Sequence, residues 1–328
     1  RCGFDRKKPH FFFGKKMNDK KHRESLLVGF IIAFLGSVLF STKAIIIKKA
    51  FADTGVSAVT LLALRMLFSL PFYLVAALIS SRHKDNEKFT GKEWLMVSIV
   101  GLLGYYVSSL FDFLGLQYVS AGIERLILFF YPTFAIFINA WLFKTKVTRN
   151  QKIALALTYT GIAIAYFGEL RSAKNNPDFI FGSILVFICA ITYSLYIVGS
   201  GRLIPRVGAS KFTAYAMLSA TVGVLTHFFA VSNIAEVQWS ADLTAYGLMI
   251  AVISTVIPSF LLSIGMRKIG SNNTAIVTSI GPVSTILQAH WILGENIFTE
   301  QIVGTILVVG GVFLIGWKAK NKEIVSAD

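Results

Sequence analysis

The chain has 328 residues, of which 55% are hydrophobic and 15% are charged, and its mean hydropathy is +0.65. This composition is too apolar for an ordinary soluble domain of that length, so it predicts a polytopic membrane protein. The net charge of +15 does not indicate a nucleic-acid binder, because the basic residues lie in short segments between long apolar stretches. That pattern is typical of residues that orient a protein in a bilayer.

The beginning of the chain is basic and polar. No methionine precedes Met17, so we expect residues 1–16 to be an upstream or vector-derived extension within a disordered tail, 1–24. The first apolar stretch, 26–47, is too long for the core of a signal peptide and is predicted to stay as a span. Cys2 and Cys189 form neither a disulfide framework nor a paired metal motif, and we expect no cofactor and no structural metal.

Ten apolar stretches follow one another along the chain. Each is close to the ~20 residues that cross ~30 Å of hydrocarbon as a helix. They are 26–47, 57–80, 94–116, 120–143, 153–168, 180–200, 212–231, 243–266, 274–293 and 302–317. The sequence therefore predicts an all-α integral membrane protein with ten transmembrane helices.

Basic residues predict the orientation of these helices. One side of the predicted bilayer has most of the basic connections, which contain Arg82, Lys84, Lys88, Lys92, Lys144, Lys146, Arg149, Lys152, Arg202, Arg206, Lys211, Arg267 and Lys268. The other side has only Lys48, Lys49, Arg171 and Lys174. Because basic loops stay in the cytoplasm, both termini are predicted to be cytoplasmic, in the cytoplasmic (inner) membrane of a bacterium.

The chain also resembles itself. An offset of 150 residues aligns Pro132 with Pro282 and Trp141 with Trp291, and an offset of 153 aligns further pairs that include Gly55 with Gly208 and Ser57 with Ser210. We predict two repeats, 25–168 and 169–318, followed by a tail, 319–328. Since each repeat would hold five spans, an odd number, the second is predicted to be inverted relative to the first.

Several residues are predicted to lie near the bilayer midplane when depth is counted at 1.5 Å per residue. A proline inside a helix removes one backbone hydrogen bond, which would leave the carbonyls of Leu128 and Thr278 without their usual partners. Such groups are tolerated where side chains or cavity water satisfy them. We therefore predict a substrate site, with a kinked packing helix as the alternative; its residues are Tyr105, Tyr131, Pro132, Tyr193, Thr255 and Pro282.

A second set of residues is charged. Lys43, Asp112, Glu124 and Arg125 are each predicted to lie ~6 Å inside the outer boundary, where they form an outer gate or extend to the interface. We favour the gate for Asp112, paired with Lys43, and extension to the interface for Glu124 and Arg125. Arg65 lies ~12 Å deep, and we favour a structural tie between helices over binding of an anionic substrate.

Four motifs in order resemble one family. They are VLFSTKAIIIK, LLALRMLFSLP, GLQYVSAGIERLILFFYPTF and ILGENIFTEQIVGTILVVGGV. Over about residues 25–318 the chain resembles the EamA-type ten-helix members of the drug/metabolite transporter superfamily. The resemblance implies a 5 + 5 inverted repeat, a central cavity and export of amino acids or related small metabolites. Small multidrug transporters of that superfamily bind protons with a first-span glutamate, whereas this chain has Lys43.

Other functions stay open at this point. Within transport, the alternatives to export are uptake and anion exchange, for which more clustered intramembrane cations are expected. The loops carry no nucleophile elbow, HExxH motif or phosphate-binding glycine loop, which disfavours an enzyme, and no filter-like loop indicates a channel. The expected partners are a small-molecule substrate and the lipid bilayer, without nucleic acid; proton coupling and a homodimer stay open.

Overall fold

The structure, a computed structural model, describes residues 11–82, 89–144, 149–172, 176–232, 234–278 and 280–311, and within these ranges every regular element is helical. The helices are α1 (Phe11–Thr54), α2 (Ala58–Arg82), α3 (Gly91–Gly101), α4 (Ser108–Gly115), α5 (Ala121–Leu128), α6 (Tyr131–Phe143), α7 (Arg149–Ser172), α8 (Phe179–Val207), α9 (Ala209–Val231), α10 (Ala241–Ala251), α11 (Ile257–Thr278), α12 (Gly281–Gln288) and α13 (Thr299–Gly311). The predicted tail at 319–328 lies outside the described residues.

Several of these helices are long and apolar enough to cross a membrane. In the described part of the chain there are seven such stretches, namely Leu26–Thr54, Ala58–Arg82, Gly91–Gly115, Ala121–Leu142, Phe179–Ile204, Ala209–Val231 and Ala241–Leu262. Two further apolar helices, Leu155–Leu170 and Thr299–Gly311, are shorter. The all-helical membrane architecture is as predicted, whereas the ten spans and the 5 + 5 repeat stay predictions.

Two helices are interrupted next to a proline. The fourth predicted span is divided between α5, which ends at Leu128, and α6, which has Pro132 in its first turn. In the same way α11 ends at Thr278, and α12 begins at Gly281 and has Pro282 in its first turn. Proline is tolerated in a first turn because the backbone N–H there has no intrahelical acceptor.

Two π-helical segments also interrupt the helices. One, Leu102–Val107, joins α3 to α4, and the other, Val252–Val256, joins α10 to α11. Their first residues are 150 positions apart (252 − 102), so the two helix interruptions and these two segments recur at the same offset. The segments contain Tyr105 and Thr255. No pattern in the sequence predicted them, although π-helical turns are frequent at functional sites.

The predicted disorder of residues 1–24 is wrong for the part that the structure describes. Helix α1 begins at Phe11 and continues through this segment into the first span. The chain contains no proline between Pro9 and Pro71, and lysine, methionine, arginine and glutamate, which are good helix formers, are frequent in this segment. The basic tail therefore extends the first helix beyond the apolar stretch.

The predicted connection between the eighth and ninth spans is also different. Residues 267–273 were expected to be a loop, but they belong to α11. No proline lies between Pro258 and Pro282, and Gly270 does not adopt the positive φ that ends helices at Gly55 and Gly208. Nothing local stops the helix here, so it continues to the interruption before Pro282.

Small residues let the helices approach closely. An ideal Cβ on Gly161 of α7 would lie 2.5 Å from the carbonyl oxygen of Gly304 of α13, and one on Gly304 would lie 2.3 Å from that of Gly161. These two glycines therefore serve helix packing. Helix α1 packs against both α11 and α12, α2 packs against α9, and α4 packs against α8.

Candidate functional site

The five charged side chains that the sequence predicted as gate, coupling or tie residues lie on four helices, and all of them are buried inside the bundle. We call them the charged group. They are Lys43 of α1, Arg65 of α2, Asp112 of α4, and Glu124 and Arg125 of α5. Asp112 and Glu124 have no exposed surface, and the three cations are at most 8% exposed. Charges are costly at such positions, so their partners decide what the group can do.

Lys43 and Asp112 form an ion pair across helices. The Lys43 Nζ lies 2.5 Å from the Asp112 Oδ2, which joins α1 to α4. The pair expected between these two residues is therefore present, and its role as a gate stays a prediction. Removal of one partner would be costly, because it would leave the other charge buried without compensation.

The preference for extension of Glu124 and Arg125 to the interface is wrong. Ser120 caps α5 by accepting a hydrogen bond from the backbone N–H of Ile123. All eight residues of this short helix are buried, because it packs against α1, α7, α8 and α12. With neighbours all around it, α5 has no lipid-facing side along which a charged side chain could extend to the interface.

Arg65 connects helices, as favoured from the sequence. Its Nη1 donates to the Ser109 Oγ at 3.1 Å, and its guanidinium lies 5.6 Å from the centroid of the Phe113 ring. Among the described residues no carboxylate lies within 4.0 Å of it. Arg65 is therefore a cation held by a hydroxyl and an aromatic face.

The first helix satisfies carbonyls at the interruption before α12. The Ser37 Oγ donates to the carbonyl of Thr278 at 3.3 Å, and the Ser41 Oγ lies 3.3 Å from the carbonyl of Gly281. As expected for backbone freed by Pro282, neighbouring side chains thus replace a lost helical partner. The Arg125 Nη2 also donates to the Ser41 Oγ, at 3.4 Å. Ser41 therefore joins α5 to the second interrupted helix through α1.

Four tyrosines form a second cluster, which we call the tyrosine group. It consists of Tyr105, Tyr131, Tyr193 and Tyr196. The hydroxyls of Tyr105 and Tyr196 are 2.7 Å apart, and the ring of Tyr193 lies 5.6 Å from that of Tyr196 and 5.2 Å from that of Tyr131. The structure thus brings together three of the predicted site residues. Sequence reasoning missed Tyr196, although its spacing of three residues from Tyr193 places both on one helix face.

Thr255 uses its hydroxyl within its own predicted span. Its Oγ1 donates to the carbonyl of Ile250 at 2.8 Å, within its own helix, and the π-helical segment that contains it packs against α1 and α2. Pro132 and Pro282 lie in the first turns of α6 and α12. The shared cavity of Tyr131 and Thr255 stays a prediction.

Glu295 connects the end of the ninth span to α5. Its Oε1 accepts a hydrogen bond from the backbone N–H of Ala121 at 3.1 Å and lies 3.8 Å from the Lys48 Nζ. A carboxylate at the first turn of a helix is favourable because the helix dipole is positive there. This glutamate belongs to the family-like ILGENIF motif, but its contact with α5 was not predicted.

One cavity of about 600 Å³ opens elsewhere on the bundle. It lies where α1 meets α2 and α9 meets α10, and Thr54, Ser57 and Gln238 are among the residues that line it. None of the predicted site residues lines this cavity. The buried charges and hydroxyls, rather than this cavity, therefore define the candidate site.

Comparison with protein families identifies the chain. A model of the EamA-like transporter family matches residues 27–167 and 180–317. The chain belongs to the EamA-like transporter family. The resemblance that the four motifs indicated is thereby confirmed, and the matched ranges cover all members of the charged group and the tyrosine group.

Individual relatives agree with this assignment. YcbK of Bacillus subtilis (strain 168), an uncharacterized transporter, is 29% identical over 294 residues, which are 88% of this chain and 91% of the relative. A WAT1-related protein of Arabidopsis thaliana is 25% identical over 312 residues, 86% of each chain. A solved crystal structure matches with a TM-score of 0.63 at 16% identity, over 90% of this chain and 98% of that chain, which shows a shared fold alone.

The EamA family assignment fixes the broad class of activity. The protein is a multi-pass membrane transporter, so its surroundings are a lipid bilayer and its cargo is a small molecule. Its relatives are named as transporters rather than as enzymes. Exposed apolar side chains around the helices, such as Trp141 and Trp291, suit contact with lipid.

Proposed function

We propose that this EamA transporter exports small polar or zwitterionic metabolites, amino acids or related compounds, by alternating access. The observation that carries the proposal is the double attachment of α1. Lys43 ties it to α4 in the first predicted repeat, and Ser41 ties it to α12 in the second. Rocking of one repeat against the other requires such polar contacts, which can break on one side and re-form.

The proposed substrate class follows from the side chains near α1. The charged group offers charges of both signs, and the tyrosine group offers hydroxyls and aromatic faces. A zwitterion has both charges close together and can exchange partners with such groups. We assign substrate contacts to Tyr105, Tyr131, Tyr193 and Thr255 beside Pro132 and Pro282, and gating to Lys43, Asp112, Glu124 and Arg125, with Arg65 as a tie.

The proposed setting is the cytoplasmic membrane of a bacterium, with ten spans and both termini inside. The distribution of basic residues supports this orientation. The recurrence of helix interruptions and π-helical segments after 150 residues supports a duplicated, inverted architecture.

A second candidate is uptake or exchange of a small anion. One observation favours it: three buried cations, Lys43, Arg65 and Arg125, are close to only two buried carboxylates. Neither arginine has a carboxylate within 4.0 Å among the described residues. An anionic substrate could take that place.

Metabolite profiling separates the two candidates. Medium and cytosol are compared among a deletion strain, a strain that overproduces the wild type, and strains that overproduce Lys43→Met or Trp291→Phe. For an exporter, amino acids rise in the medium and fall in the cytosol with the wild type and with Trp291→Phe, but not with Lys43→Met. A rise of anionic metabolites in the cytosol supports uptake, and identical profiles in all strains contradict both.

A further inference from the structure

Glu124 is a buried carboxylate without a hydrogen-bond donor. It has no exposed surface, and neither of its carboxylate oxygens accepts a hydrogen bond in the described part of the chain. The Oδ1 of Asp112 likewise accepts no hydrogen bond in the described part of the chain, whereas its Oδ2 is paired with Lys43. An ionised carboxylate with no donor is very unfavourable in a protein interior, so this arrangement calls for an additional partner.

The neighbour of these oxygens is another acceptor. The carboxyl groups of Glu124 and Asp112 lie within hydrogen-bonding reach of each other. Two ionised carboxylates can only accept hydrogen bonds, so they repel and leave the same oxygens unsatisfied. A single proton between them changes this, because one carboxyl then donates to the other. The missing donor and the close contact thus have one common explanation.

The nearby cations are engaged with other groups. Lys43 donates to Asp112, Arg125 donates to Ser41, and Arg65 donates to Ser109. The ionisable groups that act on Glu124 are Lys43 and Lys48 of α1, Asp112 of α4, Arg125 of α5 itself and Cys189 of α8. Arg65 of α2 acts on Asp112, and Glu169 of α7 and Glu295 act on Lys48. In this arrangement none of these groups supplies the donor that Glu124 lacks.

We propose that Glu124 and Asp112 share one proton and that this carboxyl pair is a proton-binding site of the protein. The proton is bound from water and released to water, with no other bond made or broken. Its use to couple transport to a proton gradient rests on the proposed transport function. The proton-binding site itself does not.

The contacts around the carboxyl pair link proton binding to the position of α1. Lys43 and Arg125 both contact or approach the pair, and both belong to the polar contacts that hold α1 against α4, α5 and α12. If α1 moves, either cation can turn to Glu124 and replace the proton as its partner. Proton release would then accompany the movement of α1, so that the bound proton favours the arrangement seen here.

The experiment is infrared difference spectroscopy of the full-length protein in lipid films, with protons and deuterons as the probe. A protonated carboxyl group gives a C=O band that shifts when H₂O is replaced by D₂O. We expect the wild type to show this band at neutral pH and to lose it when the pH is raised. Glu124→Gln should lose that component of the band, because the new amide donates to Asp112 in place of the proton.

Two further variants complete the test. Glu169→Gln is the matched control, since Glu169 is another buried carboxyl group, paired with Gln301, and its removal should leave the Glu124 component intact. If Glu124→Gln does not fold, Asp112→Asn should cause the same loss, since its amide can donate to Glu124. An identical band in the wild type and in either substituted pair member, or no band at all, overturns the proposal. Because no transport is measured, this result is independent of the transport assay.

Discussion

The two interrupted helices have the same backbone plan and different chemistry. In the first, the residues before the interruption include Glu124 and Arg125, and Tyr131 opens the next helix. In the second, Gly281 opens the helix, and serines of α1 contact the carbonyls there. An ideal Cβ on Gly281 would lie 2.6 Å from the Arg125 Nη2, so the second interruption leaves room for the arginine of the first.

Two helix interruptions with the same backbone plan thus carry different side chains. The prolines recur at an offset of 150 residues, and so do the π-helical segments Leu102–Val107 and Val252–Val256. A third π-helical segment, Ala289–Leu293, does not recur, because residues 139–143 belong to the α-helix α6. All five members of the charged group lie in the first predicted repeat, whereas the tyrosine group has two members in each repeat. The second predicted repeat also offers the small residue and the carbonyls that Arg125 and the serines of α1 contact. Substitutions in one interrupted helix at a time test this difference.

The largest effect on stability and transport should follow from the loss of one charge in the charged group. Lys43→Met leaves Asp112 buried without its cation, which should lower the free energy of unfolding by about 3–5 kcal/mol and slow transport. Lys43→Met combined with Asp112→Asn should recover part of both losses. Thermal unfolding and transport rate, analysed as a double-mutant cycle, measure the coupling between the two residues.

The matched control for this pair is the exposed ion pair of Lys49 with Asp53. These side chains are 46% and 40% exposed, and the atoms are 3.0 Å apart. Lys49→Met should therefore change stability by at most about 1 kcal/mol. If the transport rate of the double variant falls by the product of the factors for Lys43→Met and Asp112→Asn, the two residues act independently and the gate is excluded.

A smaller effect on stability is expected from glycine-to-alanine substitutions at which the new Cβ would clash with backbone or with a side chain. Gly304→Ala places a Cβ 2.3 Å from the carbonyl oxygen of Gly161, which cannot move alone, and should destabilise by about 1–3 kcal/mol. Gly281→Ala meets the end of the flexible Arg125 side chain and should reduce transport more than stability. Gly201→Ala, with no atom within 4 Å of the new Cβ, is the control. Equal stability losses at Gly281 and Gly304 would contradict this distinction.

Substitutions at two residues of the predicted substrate site, Tyr131 and Thr255, should lower transport. Tyr131→Trp and Thr255→Trp each narrow the proposed cavity and should lower the transport rate at unchanged expression. Tyr159→Trp, at an exposed tyrosine on α7, is the control. Normal transport by both test variants would remove Tyr131 and Thr255 from the proposed site.

The smallest effect on transport is expected from single-cysteine substitutions, which report the side of the membrane on which a residue lies. Ser57 and Ser210 are both exposed and correspond at an offset of 153 residues (210 − 57). On a background with Cys2→Ser and Cys189→Ser, an impermeant thiol reagent added to whole cells should label Ser57→Cys and not Ser210→Cys. Ser57→Cys loses a capping oxygen, at a cost of about 1 kcal/mol. Labelling of both would contradict the inverted repeat.

Much of the candidate site could be predicted because it depends on local rules. Pro132 and Pro282 were expected to disrupt their helices, and they lie where the helices are interrupted. Asp112 was expected to need a cation, and Lys43 at the same depth is its partner. The environment of Glu124 was missed because the burial of α5 on all sides leaves no periodic pattern in the chain. Tyr196 was missed although its spacing of three residues from Tyr193 indicates a shared helix face.

The amino-acid sequence was enough to predict the membrane-spanning class, the family and the helix interruptions at Pro132 and Pro282, because apolar length and proline act within one segment. Only the packing of the helices shows that Glu124 and Arg125 are buried, that Ser41 joins α5 to α12, and that the rings of four tyrosines contact one another. Contacts of this kind depend on which helix faces share the interior, and that depends on packing between segments far apart in the chain.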